Sequence, residues 1–521
     1  MNREAMIASI DDRREPFDIV VIGGGATGAG IAVDAASRGF STLLLERMDF
    51  GKGTSSRSTK LVHGGVRYLE QGNVSLVMGA LRERGILRRN APHLVHDVPF
   101  VVPNYSWWET PFYGIGLKIY DLLAGQYGFG KSRLLSREET LDRLPNLRQD
   151  GLRGGVIYHD GQFDDARLLI HLLATAADQG ATVLNYAPVV EITRGSDGFV
   201  NGVVAQDTES GNRIAIGARV VINATGMFAD ETRRLADPNI TPMMVASQGI
   251  HLVLDSTFLR GDTAIMVPHT SDGRVLFAIP WHRHTVVGTT DTPIDGPSYE
   301  PRPFDQEIEF VLETARLYLS HPPRRDDILS VFVGIRPLVQ QASASATTTS
   351  ALSRDHTVHI DESGLLTIAG GKWTTYRHMA EDTVNHAIML GKLADRACIT
   401  QELRIHGYAE DVDEGDTLWV YGSDAEPIRR LARESPELGR QLDSQLPIIA
   451  AQVVWAVREE MARSVEDVLA RRTRALFLDA RAATRMAPAV AALMAQELGK
   501  DQTWTDAEVA RFSALAAQYV L

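Results

Sequence analysis

Three glycines and one acidic residue near the amino terminus form the clearest chemical pattern in this chain. Gly23, Gly25 and Gly28 follow a short apolar run, and Glu46 ends the next one, 46 − 28 = 18 positions after the last glycine. In such a unit the glycines permit a tight turn, a close approach of the backbone to a diphosphate and close packing of a helix. The acidic residue accepts from a ribose hydroxyl. We therefore predict a dinucleotide site rather than a glycine-rich turn without a ligand.

The elements that position these residues are a predicted strand, helix and second strand within 17–46. The helix N-terminus directs N–H groups and the positive end of its dipole at the phosphates. Beyond this unit the sequence predicts an α/β (α+β) protein. A Rossmann-like nucleotide-binding domain and a β-rich substrate domain inserted into it occupy 17–400, and a helical domain occupies 401–521. The polar residues 1–16 predict a disordered leader.

The composition limits the classes of protein and the compartment. Of 521 residues, 44% are hydrophobic and the formal net charge is −13, which argues against nucleic acid as a partner. Cys398 is the one cysteine, so no intrachain disulfide forms and a reducing compartment is indicated. No Cys/His cluster predicts a metal site, and no run approaches the roughly 18 apolar residues of a membrane-spanning helix. The sequence predicts a cytoplasmic protein, or one bound peripherally to the inner face of the cytoplasmic membrane.

Two later glycine turns favour FAD over NAD and predict a two-domain flavoprotein. One apolar strand ends in Ala-Thr-Gly, and another ends in Gly-Gly just before a predicted helix. Small residues let the backbone pass under a flavin, and a helix N-terminus suits the flavin O2 edge. An enzyme that binds both flavin and NADH would carry two nucleotide fingerprints, whereas this chain has one. The alternative is a pair of ordinary turns. The cofactor candidates from these turns are Ala224, Thr225, Gly226, Gly370, Gly371 and Thr374.

Several longer motifs resemble one family. They are Thr54-Ser55-Ser56-x-Ser58-x-Lys60-Leu61-x-His63-Gly64-Gly65-x-Arg67-Tyr68-Leu69, Gly249-Ile250-His251, Gly334-Ile335-Arg336-Pro337-Leu338, Ser353-Arg354-Asp355 and Gly370-Gly371-Lys372-x-Thr374-Thr375-Tyr376-Arg377. Together they resemble the FAD-dependent glycerol-3-phosphate dehydrogenases. The resemblance covers essentially the whole chain from Phe17 onwards. Two positions depart from the family pattern: His356 follows Ser-Arg-Asp, where Tyr is frequent, and Met227-Phe228 follow Ala-Thr-Gly.

The resemblance implies a reaction and a set of roles. In this family sn-glycerol 3-phosphate is oxidised to dihydroxyacetone phosphate, and electrons pass from FAD to a membrane quinone, or to oxygen in the oxidase branch. The resemblance places the residues equivalent to Arg67, Tyr68, His251, Arg336 and Lys372 around the substrate. It also implies that Thr54, Ser55, Ser56, His63 and Gly64 bind the cofactor.

The substrate itself constrains the site residues. A phosphate dianion requires cations, and the guanidinium fork matches its oxygens, so the candidates are Arg67, Arg336 and Arg354 of the matched motifs. The alternative for each arginine alone is a surface salt bridge, and it is weak only for Arg336. Arg336 lies in an apolar run, where a cation needs a partner. Loss of the hydroxyl proton requires a base with a pKa near neutrality, which points to His251. The competing histidine is His63, which the resemblance places near the flavin.

Three alternatives to a quinone-linked dehydrogenase stay open: an oxidase that makes hydrogen peroxide, an amine or 2-hydroxy-acid oxidoreductase of the same fold, and a flavin-binding protein without catalysis. The aromatic segment 105–130 fits a membrane interface, a core helix or a homodimer contact equally by its pattern.

Overall fold

The structure, a computed structural model, describes residues 1–66, 69, 72–268, 270, 274–340 and 355–521. The helices that position the rest of the fold are Arg3–Asp11, Ala26–Ser37, Val74–Asn90, Glu109–Ala124, Arg137–Arg143, Asp165–Asp178, Ala229–Ala236, Asp305–Tyr318, Tyr376–Leu390, Ala425–Glu434, Ala450–Glu459, Ala475–Leu478, Ala480–Leu498 and Gln502–Ala516. Within the described ranges, no helix is both long enough and apolar enough to cross a membrane.

The first sheet contains the predicted nucleotide unit at its centre. Phe17–Ile22 pairs in parallel with Thr42–Leu45 on one side and with Arg213–Asn223 on the other. Its β-branched residues are fully buried because helices cover the sheet, as parallel sheets require. The remaining strands of this sheet are Thr182–Leu184, Val189–Arg194, Val200–Gln206, His356–Ile360 and Leu366–Gly370. The predicted strand–helix–strand order is confirmed.

The second sheet is the β-rich layer that the sequence predicts. Near one end of this sheet lies the antiparallel pair Met244–Asp255 and Ile328–Val339, which places Gly249 opposite Gly334 and His251 opposite Phe332. Residues directly opposite each other share one face of a sheet. The other strands are Leu61–Val62, Val95–Asn104, Arg133–Leu135, Gly154–Phe163, Ala264–Val267, Leu276–Trp281, His284–Gly288 and Thr292–Ile294.

The prediction of a disordered leader over 1–16 is wrong. Arg3–Asp11 is a helix, and the Asn2 side chain caps it by accepting from the Ala5 N–H. This polar segment contains a residue of a buried ion pair. Arg3 donates to Asp207 at 2.5 Å and to the carbonyl of Asn185 at 3.2 Å. A long-range partner therefore supplies the order that the local composition does not.

The helices beyond 401 attach to the nucleotide-binding region through buried arginines. Arg471 and Arg472 both donate to the carboxylate of Asp49, and Arg474 donates to Asp165. All of these side chains are buried. The boundary of a helical domain at 401 stays a prediction.

Candidate cofactor and substrate site

The glycine turn after the first strand has the geometry that the spacing predicts. Gly23 has φ +111°, and a Cβ there would lie 2.7 Å from the carbonyl oxygen of Ala224. A Cβ on Gly28 would lie 1.9 Å from the Gly23 carbonyl oxygen, so only glycine lets the helix approach this closely. Gly25 is the N-cap of the helix, and the Ser55 hydroxyl accepts from the Ala26 N–H at 2.9 Å. Gly28 thus serves packing, and Gly25 lines the cavity described next.

A cavity extends from this turn along the carboxyl ends of the central strands, with about 1240 Å³ of empty space including the solvent at its mouth. Ligands of open α/β sheets bind at this edge. The cavity brings together most of the residues predicted to bind a cofactor. Those that line it are Gly23, Gly25, Glu46, Thr54, Ser55, Ala224, Thr225, Gly226, Gly370 and Gly371.

Glu46 lines the cavity and also braces the turn. Its carboxylate accepts from the backbone N–H of Gly24 at 2.7 Å and from that of Met48 at 2.8 Å. Burial raises the pKa of Glu46 against the opposing effect of these hydrogen bonds. A carboxylate with both oxygens bonded still has lone pairs for a ribose hydroxyl, so the ribose contact stays a prediction.

Two other predicted cofactor residues lie behind the cavity wall. The Ser56 carbonyl accepts from Lys60 Nζ and from Arg474, both at 2.8 Å. The Gly64 N–H donates to the hydroxyl of Tyr120 at 2.8 Å, and a Cβ on Gly64 would lie 2.5 Å from that hydroxyl. Neither residue lines the described cavity; both hold the segment that does.

A second cavity opens beside the first, with about 1040 Å³ of empty space including the solvent at its mouth. The two share Thr54, Pro337, Gly370, Gly371, Lys372 and Trp373 as lining residues, so they form one continuous cleft. The second cavity also brings together His63, His251, Arg336 and Thr374, which lie far apart in the sequence. Lys372 borders both cavities. Three predicted substrate residues, Arg67, Tyr68 and Arg354, lie outside the described residues.

The opposed glycines of the second sheet make room for this cluster. A Cβ on Gly249 would lie 2.6 Å from a guanidinium nitrogen of Arg336, and a Cβ on Gly334 would lie 2.5 Å from the Arg57 carbonyl oxygen. Because 332, 334 and 336 alternate onto one face, His251 and Arg336 project from the same side of the sheet. The glycines leave the space between them open.

Arg336 has partners within the protein. Its guanidinium forms an ion pair with Asp291 at 3.1 Å and donates to Thr289 Oγ1 and to the Thr290 carbonyl. The charge in this apolar run is thus compensated before any substrate binds. The guanidinium still borders the second cavity, where it can meet an anion.

His251 differs from the expected base of near-neutral pKa. Its ring stacks on Phe332 with 4.8 Å between centroids, and Nε2 lies 2.9 Å from the Thr59 hydroxyl. Burial, with the nearby cations Lys60 and Arg336, holds the pKa of His251 well below its ordinary value. The imidazole is therefore neutral across the physiological range.

Sequence reasoning missed a buried ion pair beside the site. Lys60 is fully buried and donates to Asp165 at 2.7 Å, and the Ser58 hydroxyl donates to the same carboxylate oxygen. Burial lowers the pKa of Lys60 to about 7, although Asp165 opposes the shift. Lys60 belongs to a matched motif. For Asp165 the sequence predicts only an acidic residue in the first turn of a helix.

The fold and the joined cavities define a two-domain FAD-dependent oxidoreductase. The profile of the family described as FAD dependent oxidoreductase matches residues 18–377, and the profile of the C-terminal domain of alpha-glycerophosphate oxidase matches residues 366–506. Mitochondrial glycerol-3-phosphate dehydrogenase of Rattus norvegicus is 40% identical over 534 residues, which cover 95% of this chain and 72% of the relative. The chain belongs to the FAD-dependent glycerol-3-phosphate dehydrogenase family.

Solved structures agree with this assignment. The glycerol-3-phosphate dehydrogenase from Bacillus halodurans complexed with FAD has a TM-score of 0.81 at 31% identity, covering 99% of this chain and 97% of that one. L-alpha-glycerophosphate oxidase from Mycoplasma pneumoniae with FAD bound shares the fold, with a TM-score of 0.57 at 15% identity over 75% of this chain and 98% of that one.

FAD is the cofactor, and the lining of the first cavity fits it. The helix N-terminus at Gly25 suits a diphosphate. Glu46 follows the second strand, where a ribose is expected, and the cavity continues past the Ala224–Gly226 turn to Gly370 and Gly371.

Replacing Gly25 by valine is expected to abolish cofactor uptake. The Cβ would lie 3.0 Å from Ser55 Oγ, and the branched side chain would occupy the cavity wall that faces the diphosphate. The purified variant should lack the visible absorbance of an oxidised flavin. Gly79→Val is the matched control, because Gly79 is exposed on the Val74–Asn90 helix with nothing within 4 Å of its Cβ position. A Gly25 variant with full flavin content would contradict this placement.

Proposed function

We propose that the protein oxidises sn-glycerol 3-phosphate to dihydroxyacetone phosphate. The observation that carries the proposal is the continuous cleft. Its two parts share Lys372, and its second part is lined by both Arg336 and His251. The names of the relatives agree, since a glycerol-3-phosphate dehydrogenase is similar over nearly the whole chain.

The second cavity contains the groups that this reaction needs. FAD, when bound, supplies the acceptor for the hydride of the substrate alcohol. Arg336 and Lys372 supply positive charge for the phosphate and for the developing negative charge on the alcohol oxygen. Arg67, Tyr68 and Arg354 are proposed to complete the substrate-binding set. His251, held neutral by burial, receives the hydroxyl proton.

For the electron acceptor we propose a membrane quinone. The second candidate is molecular oxygen, and a specific observation favours it: residues 366–506 match the C-terminal domain profile of an alpha-glycerophosphate oxidase. The two acceptors differ in what they require of the protein, because a quinone dissolved in lipid obliges the enzyme to meet a membrane surface.

A surface suited to that contact lies on the Glu109–Ala124 helix. Its inner face packs into the core through Tyr113, Leu117 and Tyr120, which are at most 5% exposed. Its outer face presents apolar side chains at helical spacing. These are Trp108, Phe112, Ile115, Ile119 and Leu122, of which Leu122 is 81% exposed, and Trp107 precedes them at 75% exposed. We propose that this face rests on the inner surface of the cytoplasmic membrane; a homodimer contact is the competing use.

Anaerobic addition of glycerol 3-phosphate is expected to bleach the flavin absorbance of the purified protein. Re-oxidation should then be fast with a soluble quinone and slow with air. Stoichiometric hydrogen peroxide in air, at a rate matching the quinone reaction, would replace the dehydrogenase by the oxidase. A flavin that stays oxidised after the addition of glycerol 3-phosphate would contradict the proposed function.

Arg336→Ala is expected to raise KM about 10- to 100-fold, because hydrogen bonds to a charged group contribute about 1.5–3 kcal/mol. The flavin spectrum should be unchanged. Arg336→Lys should recover only part of the loss, since an ammonium lacks the guanidinium fork. Arg213→Ala, which removes an exposed ion pair with Glu191, is the matched control. Loss of flavin or of folding in the Arg336 variants would assign this residue a structural role instead.

Phe112→Ser combined with Ile115→Ser is expected to weaken binding to anionic lipid vesicles at least about tenfold. Burial of one such side chain contributes about 1.5–3 kcal/mol. Leu235→Ser, at an exposed apolar position on the Ala229–Ala236 helix, is the control. Vesicle co-sedimentation measures the effect, and size-exclusion chromatography runs in parallel. Conversion of a dimer to a monomer without loss of vesicle binding would assign the face to self-association.

A further inference from the structure

We propose that the Thr59 hydroxyl carries the proton from the substrate alcohol to His251, so that Thr59 is a catalytic residue of the oxidation. This inference rests on the proposed function and deepens it. It concerns a side chain that lies between two matched motif positions, Ser58 and Lys60, and that borders the second cavity.

The argument begins with the two ring nitrogens of His251. Nδ1 is buried and has no hydrogen-bond partner among the described residues. Nε2 lies 2.9 Å from Thr59 Oγ1, the ordinary distance of a hydrogen bond. Thr59 and His251 both line the second cavity, and the Thr59 hydroxyl occupies the hydrogen-bonding position at Nε2, so a proton that reaches Nε2 passes through this hydroxyl. The hydroxyl can accept from the substrate and donate to Nε2 at the same time.

The backbone around Thr59 is held in place from both sides. The Ser58 N–H and hydroxyl and the Lys60 ammonium all bind one oxygen of Asp165, at 3.0, 2.7 and 2.7 Å. Arg474 binds the other oxygen of the same carboxylate. Lys60 has φ +66°, and its side chain is fully buried. Because both neighbours of Thr59 are fixed to Asp165, the position of Thr59 is fixed as well. Its side chain lines the cavity, and its hydroxyl contacts His251.

His251 is in the neutral form, which is the form that can accept a proton. Burial and the two cations Lys60 and Arg336 hold the ring neutral. A neutral ring has one nitrogen lone pair, and the partner geometry assigns that lone pair to Nε2 when Thr59 donates. The Nδ1–H tautomer is therefore the expected one in the resting site.

The transfer balances as follows. The C2–H bond breaks and its electron pair leaves with the hydrogen for bound FAD. The substrate O–H bond breaks, its proton joins Thr59 Oγ1, and the original Thr59 proton joins His251 Nε2. The electron pair of the O–H bond forms the carbonyl of the ketone. Thr59 ends neutral and His251 ends as an imidazolium, which loses its proton to solvent before the next turnover.

Thr59→Val and Thr59→Ser form the matched pair of variants. Valine preserves the shape of threonine and removes the hydroxyl, whereas serine retains it. For Thr59→Val we expect the anaerobic rate of flavin reduction by glycerol 3-phosphate to fall about 10²- to 10⁴-fold, the usual contribution of a positioned proton-transfer group. The dissociation constant of dihydroxyacetone phosphate, measured from the change that its binding causes in the flavin spectrum, should change by less than about threefold. Thr59→Ser should retain at least about a tenth of the wild-type rate.

Two further measurements separate a relay from a packing effect. In a double-mutant cycle, Thr59→Val combined with His251→Asn should be no slower than the slower single variant, because both remove one path. Independently of turnover, ¹⁵N-histidine NMR should report the Nδ1–H tautomer at His251 in the wild type and in Thr59→Ser, and a changed Nε2 signal in Thr59→Val. His251→Asn identifies the resonance.

The outcomes are distinguishable. If glycerol 3-phosphate reduces the flavin of the wild type and of Thr59→Val equally fast, or if the two losses in the cycle are additive, the relay is wrong and the proposed function stands. If the His251 resonance is the same in Thr59→Val, the hydrogen bond itself is wrong. A wild-type flavin that glycerol 3-phosphate does not reduce overturns the function and the relay together.

Discussion

The arrangement of the site depends on two buried carboxylates, Asp49 and Asp165. Asp49 fixes the beginning of segment 49–60, and Asp165 fixes its end. Asp49 accepts from Arg471 and Arg472, and these arginines hold its pKa at about 2 against the opposing effect of burial. Asp165 accepts from Lys60 and Arg474. Removing one partner of a buried ion pair leaves an uncompensated charge and costs about 3–5 kcal/mol. Segment 49–60 therefore stays fixed to the helices beyond 401 and to the Asp165–Asp178 helix.

That fixed segment forms a wall of both cavities, and this explains how one site serves two ligands. Thr54 borders the cofactor cavity and the substrate cavity, Ser55 caps the helix at the glycine turn, and Thr59 contacts His251. A change in the distant arginines would act on cofactor binding and on proton transfer through the same stretch of backbone. The C-terminal helices thus help position the site without lining it.

The second sheet supplies the remaining groups by strand pairing. His251 and Arg336 belong to neighbouring antiparallel strands and share one face, while Gly249 and Gly334 keep the space between them empty. A side chain at either glycine would collide with Arg336 or with the backbone of Arg57. The register of this one pair of strands is therefore sufficient to place a cation and a neutral imidazole at the same cavity.

The sequence by itself determined the nucleotide unit. The tight turn at Gly23, the helix that begins after Gly25 and the acid at Glu46 all depend on local spacing and local sterics, which the structure reproduces. The family motifs likewise identified His251, Arg336 and Lys372 as one group. Only the tertiary structure decided the partners. Arg3 of the first helix pairs with Asp207, the charge of Arg336 is compensated by Asp291, and Thr59 contacts a histidine 192 positions away. Such contacts leave no local pattern, because burial and chain topology, rather than neighbouring residues, bring the groups together.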